Sequence, residues 1–371
     1  MIVRAIESDE EFYRYVSFAE EVYEQNPYWV PQNAEHLVSL LNGTSPVAAN
    51  AKVQPFWVEV NGKVVATLTA VIEDTYNLRW NEQMGHLLFF EALPDQDNAV
   101  SELFNTACQW LKGHNCQAVR STMLISWQLP LIIDAYNDVP TLFHTFNPPY
   151  YHSYVKNAGF ATERGAVYYH IEFTPALADR YRQMIDQAEA SGVRLRSMDF
   201  DRLEEETVVF TEICNETFSE HWGMQPTNVA AMRGLTFGLK DFLVPEFIVF
   251  AEVGGQTAGV VYSFPDLNQV FHQMRGKYLE SNLEEFLQRV PQVDHGALLI
   301  IGVRKQYRGR GVNLAMAARS YLAMIERGYK SGSYSIVLDD NWPSRRTAEK
   351  LGGKVTRNSV IYRRDLSDAG K

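Results

Sequence analysis

The sequence predicts an α/β protein that is built from two related halves. Three observations lead to this prediction: strand and helix patterns alternate along the chain, their order is repeated once, and the composition is that of a globular protein. The chain has 371 residues, of which 46% are hydrophobic and 21% are charged. These values are sufficient for two hydrophobic cores.

The clearest pattern begins with the apolar residues 298–303, which predict a buried strand. The strand leads into a basic turn with two glycines, residues 304–313. Such a turn before a helix directs several backbone N–H groups at an anion. Residues 314–325 carry apolar side chains at helical spacing, and Asn313 is in the position of a helix N-cap. We therefore predict a strand, an anion-binding turn and a helix.

Two other kinds of anion-binding loop do not fit this turn. A P-loop needs Lys-Ser or Lys-Thr after its last glycine, and a dinucleotide-binding fingerprint needs a third glycine. Residues 312–314 are Val, Asn and Leu and satisfy neither requirement. For the turn taken alone, an ordinary connection between a strand and a helix stays an equal alternative.

The next segment adds a second strand and helix. Residues 334–338 are rich in β-branched side chains and predict a strand, which leads into the Asp-Asp-Asn sequence at 339–341. A helix is predicted over 343–351, and two glycines end it. The order strand, Arg-Gly-x-Gly turn, helix, strand, Asn, helix and Gly-Gly resembles that of the GNAT-type acyl-CoA N-acyltransferases.

The resemblance rests on two signatures of that family. Its pyrophosphate turn has the pattern R-x-x-G-x-G/A, which Arg308 and Gly311 match, with Asn313 as a departure in the last place. Its second signature is an Asn about eleven residues before a Gly-aromatic pair, which Asn341 and Gly352 match. The resemblance therefore implies the fold and the cofactor of the family more strongly than its chemistry.

The chemistry carries over less completely. Gly353 replaces the aromatic residue, and Ala348 stands where the family often has a Tyr that protonates the departing thiolate. The resemblance implies mixed, mainly antiparallel sheets flanked by helices, and acetyl-CoA or coenzyme A as the cofactor. The residues that it implies for cofactor binding are Gly302, Val303, Arg308, Gly309, Arg310, Gly311, Val312, Asn313 and Asn341.

An internal duplication extends this prediction to the whole chain. Three pairs of positions match at spacings of 190 to 194 residues: Val3-Arg4 with Val193-Arg194, Asn61-Gly62 with Gly254-Gly255, and Asn147 with Asn341. We predict a degenerate GNAT-like domain over 1–173, a linker helix over 174–192 and an acyl-CoA-binding GNAT domain over 193–371. This arrangement looks like a group of bacterial tandem-GNAT proteins.

The turn of the first half differs from that of the second. Residues 91–97 contain no glycine but three carboxylates, Glu91, Asp95 and Asp97. A diphosphate would meet like charge and a crowded backbone there, so we predict that this half has lost its cofactor site.

The charges are divided unevenly between the two halves. Residues 1–173 hold 9 Lys+Arg against 20 Asp+Glu, which accounts for the whole net charge of −11. Residues 298–364 hold 14 Lys+Arg against 4 Asp+Glu.

Composition excludes several other classes of function. A pI near 5.4 and the lack of any run of five like charges argue against nucleic-acid binding. No apolar stretch approaches eighteen residues, and the first residues do not have the layout of a signal peptide, so we expect a cytoplasmic protein without membrane contact. Cys108, Cys116 and Cys214 follow no metal or redox spacing, and no metal site is predicted.

The resemblance implies direct acyl transfer from a thioester to an amine, with the oxyanion held by a backbone N–H near Gly302-Val303. Asp339 and Asp340 follow the second strand and are our candidates for the base that deprotonates the amine. The alternative is that they cap the helix or pair with the two arginines that follow. His295 is a weaker candidate for the base, and Tyr334 and Tyr362 are candidates for the acid that protonates the thiolate.

Two functions from different classes fit the sequence. The first is an acetyl-CoA-dependent or acyl-CoA-dependent N-acyltransferase that acts on a small-molecule or protein amine. The second is a non-catalytic acyl-CoA-binding sensor or scaffold, which Ala348 favours modestly. Aminoacyl transfer by a Fem-type protein is a more distant alternative, and the intact turn of the second half argues against it. The acceptor is not identified by the sequence, and a homodimer is left open.

Overall fold

The structure is a computed structural model that describes residues 1–121, 130–275 and 282–366. The chain forms two compact units. Unit 1 consists of Met1–Gly165 together with Ser359–Lys371, and unit 2 consists of Ala166–Asn358. Within the described residues, no helix is long and apolar enough to cross a bilayer.

The elements of the first half alternate as predicted. In chain order they are β1 (Ile2–Ala5), α1 (Asp9–Val22), α2 (Ala34–Leu41), β2 (Ala51–Val60), β3 (Lys63–Glu73), α3 (Asp74–Trp80), β4 (Met84–Ala92), α4 (Asp97–Gly113), β5 (Ala118–Ser121), β6 (Leu131–Ile132), α5 (Tyr151–Asn157) and β7 (Ala161–Glu172).

The second half repeats much of this order. Its elements are α6 (Pro175–Ala190), β8 (Val193–Ser197), α7 (Leu203–Thr217), α8 (Val229–Leu239), β9 (Val249–Val253), β10 (Gln256–Pro265), α9 (Asn268–Met274), α10 (Leu283–Arg289), β11 (His295–Val303), α11 (Val312–Glu326), β12 (Ser331–Leu338), α12 (Trp342–Lys350) and β13 (Lys354–Asp365). The predicted strands and helices that carry the two signatures are therefore present as β11, α11, β12 and α12.

The sheet of unit 1 is mixed and mainly antiparallel, as predicted. Its strand order is β1-β2-β3-β4-β5-β13, and only β4 and β5 run parallel among the described pairs. Helix α4 covers this sheet with the apolar face that its spacing predicts, which is fully buried: Val100, Leu103, Phe104, Ala107 and Leu111. The valine, leucine and phenylalanine side chains of this face each contribute about 1.5–3 kcal/mol by leaving water.

The sheet of unit 2 has the same plan. Its strand order is β7-β12-β11-β10-β9-β8, with β11 and β12 parallel and the other described pairs antiparallel. Helix α11 lies at the centre of the core, packed against α6 and strands β9 to β11. The sequence predicts one apolar face for α11, but ten of its fifteen residues are buried. The reason is that α6 covers the side that would otherwise face water.

The last strand of each half contributes to the other unit. Residues 166–172 of β7 pair with β12 in unit 2, and Tyr362–Asp365 of β13 pair with β5 in unit 1. Helix α6, which lies where the sequence predicts a linker, packs in unit 2, where the Tyr181 hydroxyl donates to the Leu351 carbonyl at 2.6 Å. The predicted division of the chain at 173 and 193 follows the repeat and stays a prediction.

Candidate functional site

The candidate site of unit 2 begins where two parallel strands separate. β11 and β12 pair only from His295 to Leu298 and from Ser331 to Tyr334, although both strands continue beyond these pairs. Leu299 is an extra residue in β11, because Tyr262 of β10 faces Ile300 while the next residue of β10 faces Leu298. Such a β-bulge bends its strand, and here it coincides with the opening between the strands.

The turn after β11 leaves space for a ligand. Gly309 and Gly311 have φ angles of 78° and 76°, in the left-handed region that favours glycine, and a Cβ added to either would meet no atom within 4 Å. Helix α11 begins at Val312 with Gly311 as its N-cap, and no side chain accepts from its first N–H groups. These N–H groups have no partner inside the helix, so they are available to an anion.

This geometry corrects one prediction. Asn313 does not cap α11, because it is the second residue inside the helix. Its Nδ2 instead donates to Oγ1 of Thr347 in α12 at 2.8 Å. Gly311 takes the cap position because the chain enters the helix with a φ of 76°, a left-handed conformation that glycine adopts without strain.

Two arginines of the turn hold its backbone in place. The Arg308 guanidinium donates to the Val303 carbonyl at 3.0 Å and to the Thr217 carbonyl at 3.3 Å. Arg304 donates to the Glu216 carboxylate at 2.7 Å and to the carbonyl of Thr257 at 2.7 Å. Both side chains therefore tie the turn to α7, and Arg304 also ties it to β10. Arg310 is exposed, with its guanidinium 6.0 Å from the ring centre of Tyr307.

Packing requires a glycine at position 302, in addition to the predicted role of this residue in holding the oxyanion. A Cβ at this position would lie 2.4 Å from Oγ1 of Thr217, at the end of α7. Gly302 and Val303 pair with Val260 and Gly259 of β10. Their role in holding the oxyanion stays a prediction, and the bulge at Leu299 is the irregular backbone of β11 beside the opening.

Asn341 stands at the mouth of β12 and caps α12. Its Oδ1 accepts from the Ser344 N–H at 3.3 Å, and its Nδ2 lies 3.5 Å from Nε2 of His221. Nδ1 of His221 lies 3.2 Å from the Trp222 carbonyl, which only accepts. No pattern in the sequence points to His221, because this residue lies in an irregular segment far from Asn341 in the chain.

The predicted base residues lie in an exposed turn. Asp339 and Asp340 precede α12, and their backbone carbonyls accept from Arg345 at 3.1 Å and from the Trp342 N–H at 3.0 Å. The alternative from the sequence is that the Asp339 and Asp340 carboxylates pair with the arginines that follow. Arg345 instead bonds the backbone carbonyl of Asp339. Their assignment as base stays a prediction.

Ala348 is fully buried in the core of unit 2. A tyrosine introduced there would have to displace its neighbours, so the substitution would not simply restore the hydroxyl of the family. A Cβ at Gly353 would lie 2.8 Å from the Ala348 carbonyl, which explains why a glycine replaces the aromatic residue at that position.

The remaining candidates have structural partners. His295 lies at the closed end of β11, where its Nδ1 is 2.8 Å from Oγ of Ser331 and burial lowers its pKa to about 4. The Tyr334 hydroxyl is 3.0 Å from Oγ of Ser344, and burial raises its pKa to about 12. Tyr362 belongs to the described part of unit 1, where its hydroxyl contacts His152 at 2.7 Å. None of these contacts reaches the glycine turn.

In unit 1 the equivalent turn is filled by tyrosines around α5. The Tyr151 hydroxyl accepts from the Ala92 N–H at 2.8 Å, and the Tyr150 hydroxyl donates to the Ala92 carbonyl at 2.8 Å. The Tyr154 hydroxyl accepts from the Gln96 N–H at 2.8 Å and donates to the Leu93 carbonyl at 2.9 Å. These phenols satisfy the backbone groups that would otherwise be available to a ligand. The sequence indicates a crowded turn here, but it does not indicate what fills it.

Comparison with known proteins agrees with this architecture. No protein-family model matches the chain. A bacterial ceramide synthase from Caulobacter vibrioides is 25% identical over 370 residues, which cover 97% of this chain and 96% of that protein. Protein YghO from Escherichia coli is 21% identical over 383 residues, which cover 98% and 95%.

Solved structures match over the same extent. A tandem GNAT protein from the clavulanic acid biosynthesis pathway superposes with a TM-score of 0.58 at 13% identity and covers 100% of both chains. A GCN5-related N-acetyltransferase from Sphaerobacter thermophilus has a TM-score of 0.55 at 13% identity and covers 100% of this chain and 97% of that one. The chain therefore has the tandem GNAT fold, and the fold that the two signatures predict is confirmed.

Proposed function

We propose that unit 2 binds one acyl-CoA and transfers its acyl group to an amine. The observation that carries this proposal is the opening between β11 and β12 beside the glycine turn and the uncapped start of α11. The residues present fit a pyrophosphate, because Gly309 and Gly311 leave the turn open and the first N–H groups of α11 point into it. The GNAT fold supports an acyltransferase kind of function.

The residues of the turn have two different roles in this proposal. Backbone N–H groups from Gly309 to Asn313 bind the diphosphate, and Arg310 contributes charge from the surface. Arg308 acts indirectly, because its guanidinium fixes the carbonyls of Val303 and Thr217 and so holds the turn open. Asn341 and Asn313 hold the starts of α12 and α11 at the same opening.

In the reaction, the amine nitrogen attacks the thioester carbonyl carbon, a C–N bond forms, the C–S bond breaks and coenzyme A leaves as the thiolate. A base must take one proton from the amine nitrogen. Asp339 and Asp340 remain candidates, and His221 is a further one because its Nε2 lies 3.5 Å from Nδ2 of Asn341 at the same opening. General-base catalysis is worth about 10²–10⁴-fold in rate.

The relatives give support to an amine as the acceptor. The protein from Caulobacter vibrioides is named a ceramide synthase. A ceramide is an amide of a long-chain amino alcohol, so its formation joins an acyl group to an amine nitrogen. A long-chain amino alcohol is therefore the first acceptor to test, before polyamines, amino acids and peptide amines. The cytoplasmic location and the lack of nucleic-acid binding remain expectations from the sequence.

The alternative function is an acyl-CoA sensor that binds without turnover. The observation that favours it is Ala348, whose burial leaves no hydroxyl at the position of the family's acid. A thiolate can also be protonated by water, so the lack of this acid slows an enzyme without abolishing it.

Turnover separates the two functions. Release of free thiol from acetyl-CoA and from long-chain acyl-CoA is measured with each amine, using the wild type, His221→Gln and the double variant Asp339→Asn, Asp340→Asn. We expect turnover by the wild type and a 10²–10⁴-fold loss of kcat in the variant that removes the base. Asp179→Asn serves as the control, because Asp179 is an exposed carboxylate of α6 paired with Arg182.

Each result has a clear consequence. Binding of acyl-CoA without thiol release from any amine would identify the sensor. Full activity of both base variants would show that neither assignment of the base is correct while leaving the acyl-CoA site intact.

A further inference from the structure

Unit 1 contains a buried carboxyl that the proposed function does not use. Glu91 lies near the end of β4 and is half-buried as a residue, while its carboxyl is enclosed by protein atoms. Its Oε2 accepts from the Tyr151 hydroxyl at 2.6 Å. No basic side chain pairs with it in the part of the chain that the structure describes. A carboxylate in such surroundings is costly unless a cation compensates it.

The carboxyl also has acceptor capacity to spare. The Tyr23 hydroxyl donates its single proton to the Phe146 carbonyl at 3.2 Å, and burial together with the nearby Glu91 carboxyl raises the pKa of that hydroxyl. A carboxylate accepts about four hydrogen bonds. The Tyr151 hydroxyl alone therefore leaves Glu91 undersaturated, and an ammonium group with several N–H donors would complete its shell.

An aromatic cavity adjoins this cluster. It has a volume of about 300 Å³, and Tyr23 lines it together with four other aromatic residues: Tyr28, Tyr136, Phe146 and Tyr150. Three prolines and Val22 add apolar surface, and none of the lining residues carries a formal charge. Tyr23 thus joins the cavity to Glu91. A phosphate-bearing ligand has no counter-charge in this cavity, whereas an apolar group has a wall of rings to contact.

The backbone beside Glu91 is strained. Phe89 has a φ of 51°, a conformation that costs a bulky residue about 1–3 kcal/mol. It lies in a bulge of β4, because the pair Thr67 and Glu91 is followed by the pair Thr69 and Leu88. The Tyr15 hydroxyl holds this bulge by donating to the Phe89 carbonyl at 3.0 Å. Strain of this kind persists where the surrounding contacts impose it, and it is concentrated at binding sites.

We propose that unit 1 binds a primary amine carried on an apolar group, with the ammonium beside Glu91 and the apolar group in the aromatic cavity. The inference goes beyond the proposed function, because it concerns unit 1 and a ligand that binds without acyl-CoA. Its failure would leave acyl-CoA binding by unit 2 unaffected.

Three ligands of equal chain length test the charge preference: octylamine, 1-octanol and octanoate, titrated calorimetrically into the full chain at pH 8 without acyl-CoA. We expect octylamine to bind at least tenfold more tightly than 1-octanol and octanoate to bind more weakly still. Equal binding of octylamine and 1-octanol, preferred binding of octanoate, or no detectable binding of octylamine would each overturn the proposal.

Variants test separately how the carboxyl and the cavity contribute to binding. Glu91→Gln keeps the shape and should bring the affinities for octylamine and 1-octanol to within a few-fold of each other. Val22→Trp fills the cavity and should weaken both ligands at least tenfold. Glu102→Gln, at an exposed carboxylate of α4, is the control and should change neither affinity. Retention of the amine preference by a folded Glu91→Gln variant would contradict the proposed counter-ion.

The pH profile of the wild type keeps the proposal testable if Glu91→Gln does not fold. Burial raises the pKa of Glu91 to about 7, so the counter-ion forms as the pH rises through that value. The titratable groups that face it are the phenols of Tyr15, Tyr23, Tyr150 and Tyr151, whose pKa values burial raises above their ordinary value. They stay neutral near pH 7. The affinity for octylamine should therefore rise between pH 6 and pH 8, and a flat profile would contradict the proposal.

Discussion

The side-chain amide of Asn313 donates a hydrogen bond of 2.8 Å to the hydroxyl of Thr347, which joins the first turn of α11 to α12. The Thr347 hydroxyl in turn donates to the Pro343 carbonyl at 2.9 Å. One side chain thus links the helix that begins at the glycine turn with the helix that Asn341 caps. Both helices border the opening between β11 and β12, so this bond helps to fix its width.

Thr347→Val should lower the stability of unit 2 by about 0.5–1.5 kcal/mol, because the amide of Asn313 loses its acceptor. The measurement is the midpoint of urea unfolding. Thr211→Val is a matched control, since the hydroxyl of Thr211 makes the same bond along its own helix, to Thr207 at 2.7 Å. An equal loss in both variants would show that the bond between the helices contributes nothing.

Gly353→Ala should destabilise unit 2 by roughly 1–3 kcal/mol through overpacking. The new Cβ would lie 2.8 Å from the Ala348 carbonyl and 3.2 Å from the ring of Tyr169, so the backbone has to move. Gly113→Ala, at the end of α4, meets no atom within 4 Å and should leave stability unchanged or higher. Thermal unfolding of both variants checks the prediction, and a stable Gly353→Ala would show that an aromatic residue is excluded for another reason.

His295 should make stability depend on pH. Its pKa is about 4 in the folded chain, against 6.5 for an ordinary histidine, because it is buried and faces His170. Between these values the unfolded chain binds a proton that the folded chain does not, so stability rises with pH from about 4 to 6.5. The free energy of unfolding is measured at pH 5 and at pH 7 for the wild type and for His295→Gln. The difference between the two pH values should be smaller for the variant. Equal differences in the two proteins would show that another group causes the pH dependence.

Glu91 should make stability fall as the pH rises, which is opposite to the effect of His295. Its folded pKa of about 7 lies above the ordinary 4.5, so the folded chain holds a proton that the unfolded chain loses between these values. Its contribution is complete below about pH 4.5 and is lost as the pH rises through 7. Glu91→Gln should remove this part of the pH dependence when unfolding is measured from pH 5 to pH 8. A variant with the slope of the wild type would show that the carboxyl is not held protonated.

Local features of the fold could be predicted from the sequence because neighbouring residues determine them. The spacing of Val100, Leu103 and Phe104 determines the buried face of α4. The start of α11 is predicted only approximately, because the sequence favours Asn313 as its N-cap and the structure has Gly311 in that position. The two signatures place the strands and helices of unit 2 in their order. These patterns depend on the period of a helix or a strand, which is visible in a single segment.

Contacts between distant segments could not be predicted in this way. Nothing in the residues of β7 or β13 specifies that each strand pairs in the other unit, because the partner of a strand lies far away in the chain. The sequence likewise indicates a basic turn, but not that Arg308 bonds carbonyls of the protein. The phenols that fill the turn of unit 1 come from residues about 58 positions away in the chain.

Calorimetric titration with coenzyme A tests the central claim most directly. We predict one site per chain in the wild type, no binding by Gly311→Glu, and wild-type binding by Gly255→Glu. Gly255 is the matched control, because its φ of 77° equals that of Gly311 within one degree and its surroundings are also open. At about 100 times the dissociation constant the ligand should stabilise the wild type by about 2.7 kcal/mol. Two sites per chain, or full binding by Gly311→Glu, would contradict a single acyl-CoA site at the turn of unit 2.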